Sequence, residues 1–263
     1  MFRNIPLHEA LQALQARMHH DGFSTGWPEL AQRLFFTQQA GFWFVDYFGD
    51  SEEFFPELLT LLAAPELAET LRWLSLRSPD EGANGTREWD FTPLLETKTQ
   101  FPCLQSLQIA RTPPENHNHF IVGRGYEESG QLGALLDRMP ALIELWSPSA
   151  PDATFCERAS HPLRLLHLDC GYDHQDFIAQ LAQSRCFSQL LHVEFSDYAQ
   201  FYMPNWEASC VPFEHYEQLL SSNTLPALSR FFLRSAGLSE AQVAHLKTQR
   251  PGLRFTYQNP RII

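Results

Sequence analysis

Apolar and polar residues in HPLRLLHLDCG, His161 to Gly171, follow the spacing Leu-x-x-Leu-x-Leu at Leu163, Leu166 and Leu168. With other apolar residues admitted, the spacing returns at Leu71/Leu74/Leu76, Leu104/Leu107/Ile109, Leu190/Val193/Phe195 and Leu228/Phe231/Leu233. A degenerate copy stands at Leu142/Leu145 with Ser147 in the third place, and an end copy starts at Leu253 in PGLRFTY, where the later positions fail. The first leucines lie 33, 38, 21, 27, 38 and 25 residues apart, which centres near one strand plus one helix. The lead-ins FPCL, MPAL, HPL, LPAL and RPGL each put a proline just ahead of the strand. Proline cannot continue a helix, and it biases its predecessor toward extended backbone.

The segments between these strands have helical spacing. DHQDFIAQLAQSR (173–185) carries Phe177, Ile178, Leu181 and Ala182 on one side, with Asp173 as its cap. SEAQVAHLKTQ (239–249) has Ser239 as cap and Val243 and Leu246 inside. FEHYEQLLSS, SGQLGALLDRM and FFPELLTLLAAPEL are predicted helices as well. Strand and helix therefore alternate from about residue 54 to the end.

This pattern resembles the leucine-rich repeat family, and within it the ribonuclease-inhibitor-like branch, in which each repeat is a strand, a loop and a full helix. LSRFFLRSAGLSEAQVAHL (228–246) matches best, because Leu238 also fills the outlying leucine position. Where the family favours Asn or Cys after the strand, this chain has Gly171, Tyr198 and Ala236. The resemblance implies an α/β solenoid, with a curved parallel sheet inside and helices outside, spanning residues 54–263 in about seven irregular repeats. Residues 1–53 do not fit the repeat. They are rich in aromatics (Phe23, Trp27, Phe35, Phe36, Phe42, Trp43, Phe44, Tyr47, Phe48) and are expected to form an α-helical N-terminal cap over the first exposed core face.

A chain of 263 residues that is 44% hydrophobic has enough apolar surface for a large core. Its longest apolar stretches, LLTLLAA and FWFV, are far shorter than the roughly 20 residues that cross a bilayer. Five cysteines, at positions 103, 156, 170, 186 and 210, make no CxxC pair and no even framework, so a cytoplasmic protein with reduced thiols is expected. The net charge is −12, and it is uneven. Residues 1–70 hold ten acidic against three basic side chains, while residues 228–263 hold one against six. This acidity argues against nucleic acid as a partner and suits a basic protein.

Within each predicted strand the residues between the leucines face away from the core and offer themselves to a partner. They are Trp73, Ser75, Arg77; Ser106, Gln108; Glu144, Trp146; Leu165, His167, Asp169; His192, Glu194, Ser196; and Arg230, Phe232, Arg234. Trp146, His167, Glu194 and Phe232 should form one row across the sheet. Three long segments, 77–91, 110–130 and 196–213, follow strands and should share one rim. They bring Tyr126, Tyr202 and Trp206 as further contact candidates, the aromatics of the third segment being either exposed anchors or a folded-back satellite core.

The expected function is protein recognition, with no cofactor, no enzymatic activity and no membrane. Its specific form is an inhibitor or immunity-type protein of a basic enzyme or toxin, by family analogy. The contact residues are Trp73, Arg77, Glu144, Trp146, His167, Asp169, His192, Glu194, Arg230, Phe232 and Arg234, with Tyr126, Tyr202 and Trp206 on the rim. The alternative is a metal-binding protein or metal-dependent enzyme using His167, Asp169, His192 and Glu194, since two adjacent strands each offer an imidazole and a carboxylate. HNH at 117–119 is contiguous and is expected in a loop, unlike the dispersed nuclease motif. GRG at 123–125 lacks the flanking strand and Lys-Ser/Thr of a phosphate loop.

Overall fold

A computed structural model describes residues 6–24, 32–80, 84–113, 116–198 and 205–259, with the backbone alone at 21–24. The chain is an α/β protein whose main sheet has nine strands in the order β1-β2-β3-β5-β7-β8-β9-β10-β11. These are β1 (Arg33–Gln39), β2 (Phe42–Phe48), β3 (Leu71–Arg77), β5 (Ser106–Ile109), β7 (Glu144–Ser147), β8 (Leu165–Asp169), β9 (His192–Ser196), β10 (Arg230–Arg234) and β11 (Arg254–Gln258). Among the described residues of this sheet β1 and β2 pair antiparallel, and every later neighbour is parallel. The leucine positions of the five full copies are 0–4% exposed, so their shared spacing builds one continuous apolar face. In the degenerate copy Ser147 is fully buried, and its hydroxyl donates to the Ser149 carbonyl at 3.0 Å, which satisfies the group that replaces a leucine.

The end copy is shifted by one residue. Phe231 and Leu233 pair in register with Phe255 and Tyr257, which pack on the core beside Leu253. The leucine spacing counted from Leu253 falls on exposed Thr256 and Gln258. Because side chains alternate between faces, a one-residue offset exchanges inside for outside, and this is why the pattern fails there.

The helices include α2 (Phe55–Leu62), α3 (Pro65–Ala68), α4 (Thr92–Glu96), α5 (Gln131–Arg138), α6 (Phe177–Gln183), α7 (Phe213–Ser221) and α8 (Glu240–Gln249). Ser239 caps α8 in a complete capping box with Gln242, as its sequence indicates. Two helices differ from expectation. The single helix predicted over 54–67 is broken into α2 and α3. Pro65 removes a backbone donor and clashes with the preceding turn, and Ala64 before it is extended, with ψ 130°. α6 starts at Phe177, four residues after the expected cap. Asp173 instead accepts from the Gln175 amide at 2.7 Å, and Gln175 and Asp176 both take left-handed backbone with φ 51°.

The N-terminal segment is not purely helical. Helix α1 (Leu7–Ser24) buries Ala10, Leu11, Leu14 and Met18, but β1 and β2 follow it as a hairpin. Ala40 and Gly41, with φ 51° and 85°, make the tight turn between them. Trp43, Val45 and Tyr47 alternate inward along β2, a period of two that excludes a helix. Since β2 pairs parallel with β3, this segment extends the same sheet. The side chain of Phe23, and Trp27, lie outside the described residues.

Two of the three long segments carry strands that the sequence reading missed. β4 (Gly85–Trp89) and β6 (Asn118–Val122) pair in parallel as a separate two-stranded sheet. HNH is therefore not a loop. Asn118 and His119 are strand residues, His117 Nδ1 lies 2.9 Å from Asp80, and the His119 ring packs 4.6 Å from that of Tyr172.

Candidate functional site

The register aligns Ser75, Gln108, Trp146, His167, Glu194 and Phe232 in one row across β3, β5, β7, β8, β9 and β10. Parallel strands spaced by about 4.8 Å bring such neighbours into contact. Trp146 stacks on His167 with ring centroids 4.2 Å apart and planes 18° apart. His167 Nδ1 lies 3.0 Å from Glu194 Oε2, and its ring meets that of His192 edge-on at 5.0 Å. At the other side of the row Trp146 Nε1 donates to Glu144 Oε1 at 2.9 Å, while Ser106 and Gln108 donate to Glu144 Oε2.

Arginines close the cluster. Arg111 Nη1 donates to Glu194 Oε1 at 2.7 Å, lies 3.8 Å from Asp169, and its guanidinium sits 4.9 Å from the Trp146 ring centroid. Arg234 Nη2 donates to Asp169 at 3.0 Å, and its Nε comes within 3.3 Å of Glu194 at an angle that makes an ion pair without a hydrogen bond. Burial, the largest single influence, pushes the Glu194 carboxyl up. The hydrogen bonds from His167 and Arg111 and the charges of Arg111 and Arg234 together outweigh it and hold the group down to about 2. For Asp169 burial wins over the same two arginines, aided by repulsion from Glu194, and the carboxyl is pushed up to about 6. Burial and the neighbouring His167 hold the His192 imidazole below its ordinary value.

Arg111 was not among the sequence candidates. It lies two residues beyond Ile109, in a segment read as an insertion. The available signal was an arginine just past the third apolar position, which recurs at Arg77 after Leu76 and Arg234 after Leu233. Trp73, Arg230 and Phe232 stand on the polar side as expected, with Arg230 exposed and the other two half-buried. Arg77 is paired with Asp46 at 2.6 Å, a strand partner from the N-terminal segment.

The rim candidates divide. Tyr126 is 64% exposed, and its amide together with that of Gly125 donates to Glu88 at 2.9 Å, so an internal carboxylate already occupies the GRG loop. Trp206 is a correction: at 8% exposed it is turned inward, in a short 3-10 turn (Trp206–Ser209). Asp197 at the base of that segment accepts from the Val211 amide and the Tyr216 hydroxyl, which fastens the segment to α7. Tyr202 lies outside the described residues.

The metal alternative finds no ligand geometry. Among the described residues no group of three or more His, Cys, Asp or Glu side chains is placed to hold a metal ion. Although the register brings His167 and Glu194 together, Asp169 is turned to Arg111 and Arg234, and the arginines supply the positive charge a cation would. Among the described residues no helix is long and apolar enough to cross a membrane. Comparison with family models, with curated proteins and with solved structures found no match.

Proposed function

We propose that the chain is a leucine-rich-repeat solenoid of the ribonuclease-inhibitor-like kind, with residues 1–53 as its end cap, and that it recognises a partner protein through the polar side of its sheet. The observation that carries this reading is the row Gln108, Trp146, His167, Glu194 and Phe232, in which aromatic and charged side chains stand side by side on strands that follow one another in chain order. Cross-bracing by Arg111 and Arg234 holds these groups in place before a partner arrives, which lowers the ordering cost of association. Half-buried Phe232 and Trp73 act as apolar anchors, and exposed Arg230 and Tyr126 act at the edge. The net charge of −12 speeds encounter with a basic partner, as expected of an inhibitor or immunity-type protein of a basic enzyme or toxin in the cytoplasm.

The test is affinity capture from host lysate by the wild type, by Phe232→Ala with Arg230→Ala, and by Lys247→Ala on exposed α8 as control. One protein held by the wild type and the control and lost with the double variant is the expected result. Equal capture by all three would remove the sheet face from recognition. Far-UV circular dichroism of each variant separates lost binding from lost folding.

A further inference from the structure

Beside the Trp146 row lies a cavity of about 350 Å³ into which Arg77, Arg111 and Arg234 all face, together with Ser75, Gln108 and Trp146. Its volume is near the lower end of the roughly 300–1,000 Å³ typical of small-ligand pockets. The sign of its lining stands apart from the rest of the chain. Among the described residues three cations border it and no carboxylate does, although the whole chain carries −12. The acidic partners of these arginines, Asp46, Asp169 and Glu194, hold the guanidinium groups without themselves lining the cavity. Each guanidinium has five N–H donors in a planar fork. Arg77 gives Nε and Nη2 to Asp46, Arg111 gives Nη1 to Glu194, and Arg234 gives Nη2 to Asp169, so these carboxylate bonds use one or two donors of each. Guanidinium forks held in place in this way suit a flat or tetrahedral oxyanion.

We propose that this cavity is a binding site for a small oxyanion, a carboxylate or phosphoryl group, gripped by Arg77, Arg111 and Arg234 against Gln108 and Ser75. The Trp146 ring already carries both His167 and the Arg111 guanidinium, so its part is to wall the site. The inference deepens the recognition reading by adding one anionic contact to a surface otherwise suited to a basic partner, but its test needs no partner.

The purified, isotope-labelled chain is titrated at constant ionic strength with sodium glutarate, with inorganic phosphate and with neutral glutaramide, following the amides of Gln108 and Arg111 and the Trp146 indole. Saturable shifts with either oxyanion and none with glutaramide are expected, and the tighter of the two names the group. Arg77→Gln should weaken binding about tenfold, the loss of one charge-assisted contact. Arg77 is 46% exposed, so this variant leaves the core intact. No saturable shift with either oxyanion, equal shifts with glutaramide, or wild-type affinity in Arg77→Gln would each overturn the assignment. Failure here leaves partner capture untouched, and failed capture with a saturating oxyanion overturns only the recognition reading.

Discussion

Arg77 and Arg111 each close an ion pair with a carboxylate beside the polar row of the sheet, at 2.6 Å to Asp46 and 2.7 Å to Glu194. The first pair has side chains 46% and 23% exposed, the second 16% and 12%. In the first, water screens the attraction and the long side chain gives up entropy to make it. In the second, removal of water has a cost that is offset only because His167, Arg111 and Arg234 all converge on one carboxylate. The same pairing of guanidinium with carboxylate therefore serves as a surface fastener toward one end of the sheet and as the centre of a rigid cluster in the middle.

The largest effect should come from Glu194→Ala, which leaves Arg111 and Arg234 facing each other in a partly dehydrated site. We expect a loss of about 3 kcal/mol in urea unfolding. A loss under about 1 kcal/mol would make the two pairs equivalent.

Next comes pH. The folded-state value of Asp169 is raised to about 6 from 3.8, so the folded chain binds more protons than the unfolded one between these values. Its contribution is full below 3.8 and is lost as pH rises through about 6. Glu194 runs the other way, since its value is lowered from 4.5 to about 2, and its contribution is present above 4.5 and lost as pH falls toward about 2. Unfolding measured across the Asp169 window should show a fall in stability on the order of 2 kcal/mol that Asp169→Asn abolishes. An unchanged slope in the variant would place the titration elsewhere.

Tyr216→Phe tests a neutral donor on a buried carboxylate. It removes the 2.6 Å bond to Asp197 but leaves the Val211 amide, and should cost about 1 kcal/mol by thermal or urea unfolding. The smallest effect is expected for Arg77→Ala, under about 1 kcal/mol and shrinking further in high salt. A larger, salt-insensitive loss would mean that the exposed pair behaves like the enclosed one.

Much of the row was legible before any coordinates. Trp146, His167, Glu194 and Phe232 each stand one residue past the second apolar position of a copy, so a constant spacing placed them side by side once the strands paired in register. What bound them together was less legible. Arg111 reaches Glu194 across 83 residues from beyond its own strand, where the repeat no longer dictates direction. The aromatic segment that carries Trp206 could be read as exposed anchors or as a folded-back satellite core, and only the fold showed that Trp206 packs inward. The hairpin was missed because aromatic density was read as a cap while the alternation of Trp43, Val45 and Tyr47 was passed over.

By itself, then, the sequence determined the strands of the main sheet that carry the leucine spacing, most of the helices between them, the buried leucine positions and the polar row, because each follows from a short-range period that the backbone geometry imposes. Only the tertiary structure decided the pairing of β4 with β6, the inward turn of Trp206, the convergence of three arginines on one cavity and the opposite shifts of Asp169 and Glu194. Those depend on which side chains from distant segments exclude water around one another, and no local spacing along the chain encodes that.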